Sequence, residues 1–445
     1  MRSTRWQPML ALAVVMLLAV ACSNSKAKVT GTSTTTGGGS GPPSTASGKK
    51  VAVDAPGVTD TEIRVGGVAS VENPLGGSYG DAFVGAKAYF DMVNDAGGIY
   101  GRKIVLAAQR DDKLANNKVQ IQGLLTQDNV FAVLPVASLL FTGAQTLVDQ
   151  GVPTFGWTIN PEWQGSPEDP RSNLFGQAGS YLCFDCDAPL LPWLAKEVGA
   201  HKIGVLAYAV PQSADCADGV KASFDKFGAA ADAELAFLDK SLAFGGADYS
   251  VQVSKMKDAG VDFVATCMDT NAVVTVAKEM KKQRLDAVHS LPNAYDQSFL
   301  EEFGDLFEGS YVRTDFVQFE AEEKPKGLQT YLDAMEKAGK DPSENSLVAW
   351  LNADLFVAGL RDAGPDFSRQ KVIDAINEMT DYRADGILHG VDWTKGHTQR
   401  DSETETCQFV SEIRDSKFDP VFTKPGKPFL CTAIEGDELI SRYDP

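Results

Sequence analysis

The sequence predicts an α/β protein: two strand–helix units in series, with a ligand cleft between them. The length, a strand–helix alternation that starts near residue 62, and the restart of that alternation near residue 187 all point to it. At 445 residues the chain exceeds what one hydrophobic core usually serves, so two domains of ordinary size are expected. With 43% hydrophobic residues it can build a sizeable core without metals or disulfides.

The first unit reads as strands at 62–69, 103–108, 130–135 and 152–155, with helices at 80–96, 114–126 and 142–150 between them. The 80–96 stretch carries Phe83, Ala86, Ala88, Phe90, Met92 and Val93 at helical spacing. Gly97 and Gly98 close it, as a helix C-terminus prefers. Alternation of this kind implies a parallel sheet covered on both faces. The second unit repeats the pattern, with helices at 187–198, 214–227, 249–259 and 271–283, and strands at 202–208, 234–238, 261–267, 285–291 and 310–316. A helical stretch from 325 to about 380 follows, and 387–443 is richer in strand and turn signals.

The N-terminus reads as an export signal. Arg2 and Arg5 precede an uncharged apolar run over residues 9–21, too short to span a bilayer, which needs about 20 residues, but long enough for a signal-peptide core. The run ends in Leu18-Ala19-Val20-Ala21-Cys22, which looks like a lipobox. Cys22 is therefore expected to be lipidated and to become the new N-terminus. Acyl chains contribute about 0.8 kcal/mol per buried CH₂, so two or three of them hold firmly to a membrane. Residues 23–50, dominated by Ser, Thr and Gly without an aromatic, read as a disordered tether with a reach of roughly 30 Å.

The formal charge of -19 repels phosphate backbones and argues against nucleic-acid binding. Among only four histidines, no His-Glu-x-x-His, P-loop or Gly-x-Ser-x-Gly elbow occurs. Nothing assembles a nucleophile, a base and an orienting group, so no enzymatic activity, cofactor or metal is expected. Once Cys22 is lipidated, six cysteines remain, an even number that suggests disulfides in an oxidising compartment. Cys407 and Cys431 are expected to pair in the C-terminal strand region. Cys183, Cys186, Cys216 and Cys267 allow three connectivities, between which the sequence does not choose. Cys183-Phe184-Asp185-Cys186 is a Cys-x-x-Cys, but no second Cys/His pair lies near enough for zinc.

Three blocks carry a family resemblance: Pro74-Leu75-Gly76-Gly77-Ser78-Tyr79-Gly80, then Gly85-Ala86-Lys87-Ala88, then Asn94-Asp95-Ala96-Gly97-Gly98-Ile99-Tyr100-Gly101-Arg102-Lys103-Ile104. Asp111-Asp112, Val133-Leu134-Pro135-Val136-Ala137-Ser138, Val152-Pro153, Val261-Asp262-Phe263-Val264 and Leu291-Pro292-Asn293 follow in order. Over about residues 58–400 the chain resembles the type I periplasmic binding proteins, in particular the leucine/isoleucine/valine-binding and amide-binding subfamily of ABC transporter substrate-binding lipoproteins. The resemblance implies two Rossmann-like lobes joined by three crossover strands, with ligand caught in the cleft by hinge closure. Residues 51–178 and 318–385 are assigned to lobe 1, and 179–317 with 386–445 to lobe 2. Open α/β sheets bind ligands beyond the carboxyl ends of their strands, which agrees independently.

By this resemblance Ser138 receives an anionic or carbonyl group of the ligand, the alternative being a helix-capping serine. Tyr79 is placed as an aromatic lid. Trp157 and Thr158 either wall the pocket or pack under their loop. In lobe 2, Gln212, Asp269, Asn293 and Tyr295 follow strand ends that point at the cleft. Leu/Ile/Val binders carry an acid, paired with the ligand ammonium, where this chain has Asn293. Asp269 or Asp296 could supply the charge; otherwise the ligand is an amide, a urea-like compound or a neutral metabolite. The expected function is an extracytoplasmic solute-binding lipoprotein of an ABC importer, monomeric, anchored to the outer face of the bacterial cell membrane and partnered by a permease. The alternative is a subunit that presents a bound small molecule to a membrane receptor.

Overall fold

The computed structural model describes residues 50–179, 184–291, 294–395, 397 and 405–444. Cys22, Cys183 and Asn293 lie outside the described residues. Strand β1 (Glu62–Ala69) buries Ile63, Val65, Val68 and Ala69 completely, as a strand covered on both faces must. Helix α1 (Asp81–Asp95) buries Ala82, Gly85, Ala86, Tyr89, Phe90 and Val93 along one stripe. The chain continues through β2 (Lys103–Asp111), α2 (Asn117–Thr126), β3 (Ala132–Ala137), α3 (Ala144–Asp149), β4 (Thr154–Gly156) and β5 (Leu174–Gly176). These strands form a five-stranded sheet in the order β2-β1-β3-β4-β5, with every pairing parallel.

The second unit runs α4 (Leu190–Val198), β6 (Lys202–Tyr208), α5 (Pro211–Ala231), β7 (Glu234–Leu242), α6 (Ser250–Asp258), β8 (Phe263–Cys267), α7 (Thr270–Gln283), β9 (Val288–Leu291), α8 (Gln297–Phe303) and β10 (Tyr311–Thr314). Strands β7, β6, β8, β9 and β10 are neighbours in that order and pair in parallel. One apolar cluster packs α4 and α5 against this sheet, and another packs α6 and α7.

The chain then returns. Helices α9 (Lys326–Ala338), α10 (Glu344–Ala363) and α11 (Arg369–Asn377) share the largest apolar cluster with α1 and β3. The chain crosses again, into β11 (Glu405–Arg414), β12 (Lys417–Val421), β13 (Phe429–Glu435) and β14 (Glu438–Asp444), which extend the second sheet in antiparallel fashion. Two of the passes between units touch, because Val317 N–H donates to the Ile387 carbonyl at 2.9 Å. Cys407 and Cys431 face each other across β11 and β13 and are disulfide-bonded. Cys216 is bonded to Cys267, and Cys186 is disulfide-bonded too.

Several element bounds differ from the sequence reading. The helix expected from 114 starts at Asn117, because Lys113 and Leu114 adopt positive φ and the Leu114 N–H turns onto the Asp112 carboxylate at 2.9 Å. The strand expected from 285 starts at Val288, after Arg284 has closed α7 in the left-handed conformation. The helix expected from 187 starts at Leu190, behind Pro189. Strand β5 was not anticipated, since three residues carry no periodicity. The 325–380 stretch is three helices, separated at Gly339 and Gly364.

The contact between α1 and α10 is the closest in the molecule's interior to bare backbone on backbone. A Cβ placed on Gly85 would lie 1.8 Å from the Ser346 carbonyl oxygen. Tyr331 helps to hold that turn of α10, its hydroxyl within 2.5 Å of Ser346 Oγ. Gly85→Ala should therefore destabilise the protein by about 3 kcal/mol, as overpacking of a rigid contact does, and urea unfolding monitored by far-UV circular dichroism measures it.

Candidate ligand cleft

The carboxyl ends of the two parallel sheets face each other and touch. From the second unit, the Asn271 side-chain amide at the start of α7 donates to the Pro74 carbonyl at 3.1 Å. Gln212, in the first turn of α5, donates to the Leu139 carbonyl at 3.2 Å. Leu75 lies against Gly245. Gly76, at φ +80°, is needed for this approach, since a Cβ there would come within 2.8 Å of Asn271 Oδ1.

On the first-unit wall, Ser138 is 1% exposed, and its hydroxyl is engaged inside that unit. It accepts from Asn117 Nδ2 at 3.1 Å and faces the Val68 carbonyl at 3.4 Å. Asn117 ties the corner together. Its other contacts reach Asp112 at 3.1 Å and the Gly143 N–H at 3.0 Å, and Ser70 donates to Asp112 at 2.8 Å. The Leu139 N–H donates to Ser70 Oγ at 3.1 Å. Ser138 does not cap α3, whose N-terminal residue is preceded by Gly143 with no side-chain cap. Thr158 follows β4, is fully buried, and its hydroxyl has no hydrogen-bond partner among the described residues. Trp157 beside it is half-buried against the large apolar cluster.

On the second-unit wall, Asp269 is the N-cap of α7: its Oδ1 accepts from the Ala272 N–H at 3.1 Å, and its Oδ2 accepts from the Tyr208 hydroxyl. Burial and then that bond hold the Tyr208 hydroxyl far above its usual pKa. Asp296 is likewise an N-cap, of α8, accepting from the N–H groups of Ser298 and Phe299. Tyr295 is buried, and its hydroxyl donates to Glu320 at 2.7 Å. Glu320 also accepts from Gln297 at 2.8 Å. Gln212 reaches the opposite wall, as described, and the Cys216–Cys267 bond fixes its helix beside the end of β8.

The electrostatics of the cleft are dominated by acids. Tyr79 is 7% exposed. Burial, then Asp269, then Glu344 raise its hydroxyl well above the usual tyrosine range. Glu344 is pushed up to about 8 by burial, then by Asp315 and Asp296. Burial also raises Asp81, against the lowering pull of a 2.9 Å hydrogen bond from Ser343, and Asp296 raises it further. Sequence reasoning gave no role to Glu344, Asn271 or Asn117. Glu344 lay inside a stretch read only as helical, Asn271 read as the first residue of a helix, and Asn117 fell inside the helix expected from 114.

Among the described residues, one group has metal-ligand spacing: His389, Cys407 and Cys431. Its two sulfurs are joined to each other, so neither is a thiolate.

A family model described as periplasmic binding protein matches residues 62–417. A comparison with curated protein sequences finds no match. Among solved structures, the chain is similar to a fatty acid ABC transporter substrate-binding protein from Thermomonospora curvata, with TM-score 0.68 and 18% identity over 82% of this chain and 93% of that one. It is similar to a branched-chain amino acid ABC transporter protein from Thermus thermophilus with bound valine, with TM-score 0.65 and 17% identity over 81% and 95% of the two chains. It is also similar to a solute-binding protein of an R. palustris ABC transporter in complex with 4-hydroxybenzoate, with TM-score 0.62 and 16% identity over 86% and 98%.

Because Asp269 holds a helix end and a buried tyrosine, Asp269→Ala should cost about 1–3 kcal/mol of ligand-free stability. Asp269→Asn should keep most of the cap. Urea midpoints of the three proteins, without added solute, compare them.

Proposed function

Since the chain belongs to the periplasmic binding protein family, we propose that it is the extracytoplasmic solute-binding lipoprotein of an ABC importer, capturing a small polar solute by closure of two lobes. The reading rests above all on the facing carboxyl edges, bridged by Gln212 to Leu139 and by Asn271 to Pro74. We assign residues 51–178 and 318–385 to one lobe and 179–317 with 386–445 to the other. The packing of α10 on α1 through Gly85 and the Tyr89–Trp350 and Phe90–Phe356 contacts, and the place of β11–β14 in the second sheet, support that division.

Within the cleft, Thr158 offers a buried hydroxyl without a partner among the described residues. Such a group costs free energy unless a ligand satisfies it. Tyr79, Trp157 and Tyr295 supply aromatic walls. Ser138 shapes its loop through Asn117 and takes its part in binding through the backbone it positions. A lipid on Cys22 would hold the protein to the outer face of the cell membrane, with a membrane permease as partner; the lipobox-like Leu18-Ala19-Val20-Ala21-Cys22 supports this reading.

Binding to the folded state alone raises stability by RT ln(1 + [L]/Kd). A thermal-shift screen of amino acids, amides, ureas, amines and small acids should therefore yield at least one stabilising solute; a flat response across all classes sinks the proposal. Gln212→Ala and Asn271→Ala, which remove single neutral hydrogen bonds across the cleft, should each weaken that solute's binding by about threefold to tenfold, mainly through faster dissociation in stopped-flow traces. Radiolabelled palmitate should be incorporated into the wild-type protein in cells and not into Cys22→Ala.

A further inference from the structure

We propose that Glu344 is the specificity-determining residue of the cleft and receives a cationic nitrogen of the ligand, an alkylammonium or amidinium group with N–H donors. The inference deepens the solute-binding reading and rests on it.

Six carboxylates gather around the cleft, and five are already committed to protein donors. Asp269 and Asp296 cap helices. Asp81 accepts from Ser343. Asp315 accepts from Gln408 Nε2 at 2.9 Å. Glu320 accepts from Tyr295 and Gln297. Among the described residues no donor reaches the Glu344 carboxylate, although it lies within electrostatic range of Asp296, Asp315 and Tyr79. These come from three different segments: the loop before α8, the pass after β10 and the loop before α1. Glu344 thus sits where the two lobes and a crossover meet.

Its helix does not need it. The N-terminal N–H groups of α10 are served by Ser343, which caps Ser346 N–H and forms a reciprocal capping box. A second group points to the same place. Tyr79 is more than nine-tenths buried, its hydroxyl meets no donor or acceptor among the described residues, and it feels both Glu344 and Asp269. A cationic nitrogen beside Glu344 would bring the donors that this carboxylate and the Tyr79 oxygen lack, and its charge would relieve the repulsion among the acids. The nearest protein cations are otherwise engaged. Arg313 is buried and bonded to Gln408 at 3.1 Å, and Lys340 acts on Asp81.

The protein without ligand carries the cost of this arrangement. The Glu344 carboxyl titrates at about 8 in the fold against 4.5 for an ordinary glutamate, so the unfolded chain releases its proton first. Ionising Glu344 therefore destabilises the fold progressively as pH rises from 4.5 to 8, fully above 8 and not at all below 4.5. A residue that weakens the empty protein, and that a cation would relieve, has the signature of a binding group.

The test is a thermal-shift and calorimetric comparison of matched compounds on the full chain: isoamylamine, L-leucine and 4-methylpentanoate, then benzylamine, benzamidine and 4-hydroxybenzoate. The expected result is stabilisation by compounds bearing the cationic nitrogen, tighter at pH 8.5 than at pH 6, and at least about tenfold weaker binding in Glu344→Gln. Ligand-free Glu344→Gln should melt above the wild type at pH 8.5 and with it near pH 4.5; Glu344→Asp should keep the preference for cations. Stabilisation confined to 4-methylpentanoate or 4-hydroxybenzoate overturns the inference and leaves the solute-binding reading standing. So does unchanged affinity in Glu344→Gln. A lower ligand-free melting point for Glu344→Gln at pH 8.5 also overturns it, because the residue is then structural. No stabilisation by any compound, here or across the broad screen, brings down both readings.

Discussion

A side chain at position 85 would put its Cβ 1.8 Å from the Ser346 carbonyl oxygen, so α1 and α10 pack with no side chain between them at that level. Glycine is the one residue that permits it. Much of the architecture depends on this approach. A chain that has built its second sheet must send a long helix back to cover the first, because β3 is buried throughout and β1 everywhere but Glu62 and Arg64, leaving an apolar face that α1 alone does not close. The aromatic contacts Tyr89–Trp350, Phe90–Phe356 and Phe155–Phe356 line the seam that results. Two crossings of the chain are the geometric consequence, since the α9–α11 segment is entered from β10 and left toward β11 of the second sheet.

The same contact sets the chemistry. Both helices begin on the cleft side, and their first residues are Asp81 and Glu344. The helix dipole favours a carboxylate at such a position, yet the effect falls off within a turn, and the acids of the facing lobe work against it. Among the contacts between the lobes are two single hydrogen bonds at the loop carbonyls, each worth about 0.5–1.5 kcal/mol net, beside the Tyr295 and Gln297 bonds to Glu320 and an apolar cluster that runs through both.

The fold was legible because its signals are redundant. Each buried strand is an apolar run, each helix carries a stripe, and Gly97-Gly98 or Gly339 marks an end by the positive φ it adopts. Bounds failed where a turn competed with a helix for the same N–H, as Asp112 does for Leu114, or where a strand was as short as β5. The cleft was only half legible. Gln212 reaches the opposite wall and Asp269 acts on Tyr79, because strand ends fix where the following segments lie; Thr158 and Tyr295 are buried. What their side chains do there was not readable. Asp269 looked like a free acid after a strand, and the same residue three positions before Ala272 is equally a helix cap. Local sequence does not distinguish a carboxylate aimed at its own backbone from one aimed at a ligand.

That ambiguity explains where the unpartnered charge has to sit. Residues following a parallel strand open the next helix, and an acid there finds free N–H groups within its own turn, as Asp269 and Asp296 do. Such acids already accept hydrogen bonds from their own helix before any ligand arrives. A carboxylate stays available only if its helix is capped by something else. At α10 the cap is Ser343, with Ser346 completing the box, and the glutamate after it is released from that duty. The charge facing the cleft therefore comes from an element more than two hundred residues away from the Tyr79 loop in sequence, which no motif around the strand ends encodes. It is brought there by the packing of α10 on α1, so the fit of a glycine against a backbone carbonyl and the charge presented to a ligand are consequences of one contact.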